Sequence, residues 1–430
     1  MIDAPSAPAP ATRWPAWRRN LWVLWIANFL TSVGLMALLP FFAPFVRQLG
    51  ETDPRRCELW AGIIVGAGPF MAAVLSGFWG AVGDRVGRKR MVIRALCAIT
   101  IFVGAMALAR APWQLLVLRI WQGAFSGYVA PTLTLVSVLA PLDRQGRVGG
   151  SLQTSVLAGA VMGPWLSSLV EPAIGYGGIA FVCALLSALS AAIVAAFVVE
   201  PPRAAPVVPA RRGVTRMFTD ATRELGRALR RPGIGGLLVA LLLVRTASAS
   251  VNPTLVTHVE TLLGGISVEA HRIASWVFSA QPLATLVFLP VFGRLADRRG
   301  SRIVLLTCVL CGALATLAQA FTHSAWTLGA WRLVAGGFLA GVLPASVAAT
   351  AHGGSADRRG GELGLTFSAL TFGLAFGPWI GSAIDAYFGY PNLLLASAAL
   401  LFVAFVILWR PRSVASSPQA AAGSVAPPAA

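Results

Sequence analysis

Sixteen Asp and Glu residues are spread through a chain whose long apolar runs leave them few places to sit. A carboxyl group that is buried, or set beside a guanidinium, can take up and return a proton as its surroundings change, and that is the chemistry open to these residues. Asp84 lies in a dense basic stretch, GAVGDRVGRKR (residues 80–90), and Asp297 in a similar one, GRLADRRGSRI (residues 293–303). Glu171 and Asp385 each stand eight residues after a glycine, Gly163 and Gly377, at the ends of two apolar runs, and Glu260 ends another. Arg119 falls about a third of the way into one run and Arg245 near the middle of another. A guanidinium at such depth costs roughly 2.5–3.5 kcal/mol on insertion scales, so each must face the protein interior and have a partner. Arg245 could hold an anionic group or the carbonyls freed around Pro253. His258, His271 and His323 are expected near the membrane interface rather than in proton exchange. There is no nucleophile–base pair, metal-ligand cluster or G-x-x-x-x-G-K-[ST] loop, so neither an enzyme, an ATP-driven pump nor a cofactor or metal site is expected. Cys308 and Cys311 make a C-x-x-C inside an apolar run, with no second pair or His nearby, and read as small apolar fillers.

The elements that position these residues follow from composition. The 430 residues are 57% hydrophobic and 12% charged, against roughly 25% charged in soluble domains, which points to a polytopic membrane protein. A formal charge of +18 would suggest nucleic acid in a soluble chain, but here most Lys and Arg lie in short loops between apolar runs, so no nucleic-acid partner is expected. Twelve runs are long enough to span a bilayer: 21–46, 59–82, 91–110, 113–139, 149–170, 178–199, 234–259, 273–296, 303–321, 326–350, 363–384 and 392–409. Charge orients them. One set of segments holds nearly all the arginines, and the other only Arg47, Arg55, Arg56, Arg110 and Arg272, so both termini and the central linker are expected in the cytoplasm. The expected organisation is a cytoplasmic segment (1–20), a first six-helix half (21–199), a basic linker (200–233), a second half (234–409) and a disordered tail (410–430). Within the linker, apolar residues recur at helical spacing among arginines, as in a helix lying on the inner leaflet.

The chain also repeats itself. Asp84 and Asp297 are 213 residues apart, as are Gly80 and Gly293, Pro40 and Pro253, Arg119 and Arg332, Gly123 and Gly336, and Pro131 and Pro344. GAVMGPW (159–165) answers GLAFGPW (373–379) at an offset of 214. Two six-helix halves in the same orientation, related by an axis along the membrane normal, account for this. Gly83 and Gly87 allow a tight turn with positive φ between two helices. Gly159, Gly163 and Pro164, with their copies Gly373, Gly377 and Pro378, allow close helix approach and a bend, expected at the interface of the two halves. A substrate cavity should lie at the midplane between the halves. Its expected lining is Asn28, Phe29, Ser32, Tyr128, Met162, Arg245, Ser248, Asn252, Gln281, Phe367 and Phe372, a surface suited to amphiphilic or aromatic compounds.

These motifs carry a family resemblance. The two basic stretches resemble the loop between helices 2 and 3, and its weaker copy between helices 8 and 9, of the major facilitator superfamily. LRIWQG (118–123) is similar to the arginine-bearing helix-4 motif of its proton-coupled members. GAVMGP is similar to the helix-5 antiporter motif of drug:proton exporters, and GLMALLPFFAP to their first-helix signature. The resemblance covers residues 21–410 and is nearest to the bacterial twelve-helix drug:proton antiporters. It implies an all-α major facilitator fold and a monomer in the bacterial inner membrane, exporting drug-like small molecules in exchange for protons. A symporter or uniporter for a small metabolite is the alternative. Gly80, Gly83, Asp84, Arg85, Gly87 and Arg88, with Gly293, Asp297, Arg298 and Gly300, would then serve gating, Asp84 stabilising the state closed to the cytoplasm. Asp84, held near Arg119, ranks first for proton coupling, followed by Glu171 and Asp385. The helix-5 motif usually ends in a Gly pair, where this chain has Ser167 and Ser168; the helix-11 copy keeps Gly381.

Overall fold

Hydrocarbon offers a peptide group no hydrogen-bond partner, so a spanning chain must close its backbone bonds within itself. The computed structural model describes residues 16–127, 132, 133, 135, 136, 141, 145–200, 234–353 and 359–410, and every regular element among them is helical. Almost all of the linker and of the tail, together with Tyr128, Pro131 and Arg144, lies outside the described residues. In chain order, α1 is Ala16–Leu38, continued by the turn Leu39–Phe41 and the short helix Phe42–Gln48. Next come α2 (Pro54–Val86), α3 (Arg88–Met106) and α4 (Pro112–Phe125). The stretch Gln145–Phe197 holds both α5 and α6, parted at Gly175 (φ 64°, ψ −177°). The second half comprises α7 (Ile234–Ser250 with Leu255–Leu262), α8 (Val268–Arg299), α9 (Ser301–Gln319), α10 (Ala325–Leu339 with Val342–Gly353), α11 (Arg359–Phe388) and α12 (Tyr390–Trp409).

Among the described residues, eight stretches are long and apolar enough to cross a bilayer, and the bent α7 makes a ninth. Gly175 turns one of those stretches into two spans. α3 opens on Arg88, Lys89 and Arg90, and α4 is described over only 14 residues, so both fall short of the same measure. The count is the expected twelve.

The repeat is structural as well as sequential. Gly87 (φ 107°) and Gly300 (φ 91°) join α2 to α3 and α8 to α9, while Gly175 and Gly389 (φ 83°) match at the other end. Only glycine takes such φ values without a Cβ clash. Gly83, expected in the turn, is instead inside α2. Lys89 Nζ donates to the Ala195 carbonyl (2.8 Å) and its counterpart Arg302 Nη2 to the Trp409 carbonyl (3.0 Å). Each places a cation on the last turn of α6 or α12, where the free carbonyls and the helix dipole favour it.

Packing differs between the two ends. Near the arginine-poor end a single buried core takes in both halves, with Phe41, Ile64 and Tyr176 against Leu255, Phe278 and Tyr390. Near the arginine-rich end each half has its own core, Leu24, Leu96 and Val194 in the first and Leu241, Leu305 and Leu408 in the second.

Candidate functional site

The seam between the halves is made by α2 on α11 and by α5 on α8. A Cβ on Gly62 would fall 2.6 Å from the Pro378 carbonyl, so these backbones touch. Phe70 meets Trp379 with ring centroids 5.3 Å apart, and Trp379 Nε1 donates to the Ile63 carbonyl (3.2 Å). On the other side of the seam Trp165 meets Trp276 edge-on at 4.0 Å, and Ser279 Oγ donates to the Val161 carbonyl (2.8 Å). Further toward the arginine-rich end, no atom of another element among the described residues lies within 4 Å of the position a Cβ would take on Gly80, Gly150 or Gly364. Among the described residues, the halves are joined at one end and parted at the other.

At the joined end the seam is ionic. Arg47, at the end of α1, places Nη2 3.1 Å from Oε1 and 3.0 Å from Oε2 of Glu260 on α7. Glu260 Oε1 is also 2.8 Å from Nε2 of His271, at the start of α8. The other ring nitrogen, Nδ1, is 3.3 Å from Oε2 of Glu171 on α5. The Glu260 and His271 side chains are each 5% exposed, Glu171 is 16% and Arg47 36%. Beside this cluster is a cavity of about 550 Å³ lined by Arg47, Glu58, His258, Glu260, Asp385 and Tyr390, among others.

Several expected placements change. His271 is buried, with Phe41 and Tyr176 against its ring. Asp385 and Glu260, at the ends of their apolar runs, are buried as well. Asp84 is not held near Arg119. The Arg119 guanidinium packs on Gly68, sixteen residues before Asp84 on the same helix, which at 1.5 Å per residue is about 24 Å away. Arg119 is buried and gives Nη1 to Gln122 (2.7 Å), whose own amide donates to Ser126 (2.9 Å). Its repeat counterpart Arg332 gives Nε to the Val277 carbonyl (3.0 Å) and Nη2 to Asn252 (3.1 Å). Asn252, expected in the cavity, therefore has a partner within its own half.

The motif glycines were expected between the halves and lie within them. A Cβ on Gly163 would be 2.6 Å from the Val33 carbonyl and 2.7 Å from the Ala37 nitrogen of α1. Gly377 stands in the same relation to Thr246 and Ser250 of α7 (2.6 and 3.0 Å). Gly159 packs on Ser32, and Gly373 on Arg245, again mates. Pro164 and Pro378 ride inside continuous helices. Where the motif's glycine pair would be, Ser167 Oγ donates to the Ala37 carbonyl and Ser168 Oγ to the Trp165 carbonyl (3.0 Å). Of the expected cavity set, Asn28 and Ser32 are buried; Phe29, Ser248, Gln281 and Phe372 are half-buried; Met162, Arg245 and Phe367 are exposed. Phe372 stacks on Phe376 with ring centroids 6.0 Å apart, and Phe376 meets Trp379 at 5.7 Å and Phe70 at 6.4 Å, so these rings form one aromatic surface.

Two pseudo-symmetric six-helix bundles, closed over a charged and aromatic seam at one end and parted at the other, define a membrane transporter. The Major Facilitator Superfamily profile matches residues 24–267 and again 237–428, and the chain belongs to that superfamily. It is a transporter and not an enzyme. Two Escherichia coli relatives called multidrug resistance protein MdtG are 28% and 29% identical over 394 residues, covering 91% of this chain and 94% of theirs. Among solved structures, the human organic anion transporter MFSD10 superposes with a TM-score of 0.72 at 18% identity, covering 92% of this chain and 100% of its own. A bacterial homolog of the human lysosomal transporter Spinster, inward-facing and occupied, gives 0.71 at 16% identity, covering 93% and 97%.

Proposed function

We propose that this transporter exports amphiphilic or aromatic small molecules across the bacterial inner membrane in exchange for protons, working as a monomer. The observation that carries the reading is the asymmetry of the ends. One core is shared at the arginine-poor end and two are separate at the arginine-rich end, so a compound can enter between the halves from the arginine-rich side alone. The positive-inside rule makes that side cytoplasmic, with both termini and the 200–233 linker on it. The aromatic surface of α2 and α11 suits flat, apolar compounds, and the multidrug resistance relatives support the same substrate class. No nucleotide motif occurs in the sequence, and the energy source in this reading is a proton gradient.

Asp84, Arg119, Glu171 and Asp385 are the groups proposed for coupling. The basic loops, with Asp84 and Asp297, would latch the cytoplasmic end in the alternate state. Purified protein in proteoliposomes, given fluorescent amphiphiles and a pH gradient of either sign, tests this. Movement should reverse with the gradient, and Asp84→Asn should abolish it while leaving insertion intact. A rate that ignores the gradient would make the protein a facilitated uniporter.

A further inference from the structure

We propose that Arg47, Glu171, Glu260 and His271 form a proton-binding site whose occupancy holds the arginine-poor end shut, with His271 as the proton carrier. The inference rests on the alternating-access reading above and locates the proton within it.

Both ring nitrogens of His271 face carboxylate oxygens, Nε2 toward Glu260 at 2.8 Å and Nδ1 toward Glu171 at 3.3 Å. An ionised carboxylate only accepts hydrogen bonds, and a neutral imidazole carries a single N–H. With a neutral ring, one of the two contacts would set lone pair against lone pair. The geometry therefore calls for one proton more than a neutral ring supplies. It sits on the ring, because imidazole, with an ordinary pKa of about 6.5, is more basic than a Glu carboxylate at about 4.3. Arg47 balances one carboxylate, and an imidazolium balances the other, so the buried group sums to zero. Without that proton a net negative charge would be sealed under the shared core, which is costly.

Other groups around the ring do not change this balance. Phe41, in the turn after α1, meets the ring edge-on at 5.7 Å, and Tyr176 of α6, whose neutral hydroxyl hydrogen-bonds Glu171, lies 6.4 Å away. On α8 itself Glu269 and Arg272 are exposed, and Arg332 of α10 is engaged with Val277 and Asn252. Glu58 and Asp385 line the adjoining cavity together with Arg47 and Glu260.

The site is built from both halves. Arg47 and Glu171 belong to the first, Glu260 and His271 to the second, so opening this end pulls His271 from Glu171 and Glu260 from Arg47. A proton held by two carboxylates in the shut state and by one in the open state must favour the shut state, by linkage. Arrival of a proton from outside would then close the outer end and present the cavity to the cytoplasm, the direction an exporter requires.

The test is ¹⁵N spectroscopy of the full-length protein, histidine-labelled, in lipid nanodiscs. It is run at about pH 8, above the ordinary imidazole pKa of about 6.5. One ring, assigned by its loss in His271→Gln, should carry protons on both nitrogens. Glu171→Gln should return it to a single proton, because an amide brings no charge and Arg47 then suffices for Glu260. Gly62→Val, which props the end open against the Pro378 carbonyl, should do the same with Glu171 intact. A singly protonated His271 ring in the wild type, or a doubly protonated one in both variants, would overturn the proposal. Transport that ignores a pH gradient would sink the antiport reading instead and leave this signature standing.

Discussion

The arginine-poor end carries the same constellation twice, and the two copies behave differently. Arg47 and Glu260 are repeat mates 213 residues apart, as are Glu58 and His271, while Glu171 and Asp385 are mates at 214. So are Tyr176 and Tyr390, and Phe45 and His258; Phe45 meets Tyr176 at 6.0 Å, and His258 stacks on Tyr390 at 4.1 Å. On one side His271 is sealed between two acids. On the other its mate is Glu58, a carboxyl in place of the imidazole, which faces the cavity shared with Asp385. A residue can touch its own mate only at the pseudo-two-fold axis, and there the repeat cannot stay faithful. Two like charges about 4 Å apart near a protein surface repel by about 4 kcal/mol, so position 47 and its mate must differ in sign or lose charge. Arg47 and Glu260 differ in sign. The axis converts a symmetric scaffold into an asymmetric one, and only one of the two pockets sets an imidazole between two acids.

The strongest way to break that difference is at the axis. Arg47→Glu puts a third carboxylate beside Glu260 and Glu171, and the end should stand open with transport lost. The cost lies between the ~1 kcal/mol of an exposed pair and the ~3–5 kcal/mol of a buried one, because Arg47 is over a third exposed. Spin labels across the arginine-poor end would read the opening. Adding Glu260→Arg should rescue closure only in part, since the swap restores the bridge but removes one of His271's carboxylates. Full rescue would mean that His271 contributes nothing.

A gentler change makes the copies alike. Glu58→His places a second imidazole in the cavity with Asp385, and the dependence of closure on pH should steepen from one proton toward two. The same labels, followed across a pH series, would show it. An unchanged slope would mean that the open copy cannot be recruited. The smallest effect is expected at Ser167, the mate of Gly381. Ser167→Gly removes a hydrogen bond to α1, and the detergent-solubilised protein should lose about 1 kcal/mol of stability in thermal unfolding. A larger loss would show that the α5 serine, unlike its mate, is essential to the packing.

Much of this architecture is legible in the sequence. The offset of 213, the twelve runs and the side that carries the arginines need only identities and hydropathy. The seam is harder, because hydropathy gives depth along a helix and says nothing about which helix end another half covers. Nothing in hydropathy marks His271 and Asp385 as buried for that reason, although each flanks an apolar run at the end where the shared core closes. The pairing of Arg47 with Glu260 was available from the same offset that matches Asp84 to Asp297. It escapes a search for identical residues because residues that meet at an axis must be complementary instead. Arg119 shows the opposite failure. Asp84 was expected as its neighbour, whereas Arg119 packs on Gly68 and the helix carries Asp84 about 24 Å further along.

The shared core has a thermal consequence. Opening the arginine-poor end must part Phe41, Ile64 and Tyr176 from Leu255, Phe278 and Tyr390, while the two separate cores stay whole. Apolar surface uncovered to water raises heat capacity, and the attraction that keeps it covered weakens on cooling. The balance between the two facing states therefore bends with temperature much as a folding equilibrium does, and at low temperature this end is released more readily than its ion pairs alone would allow.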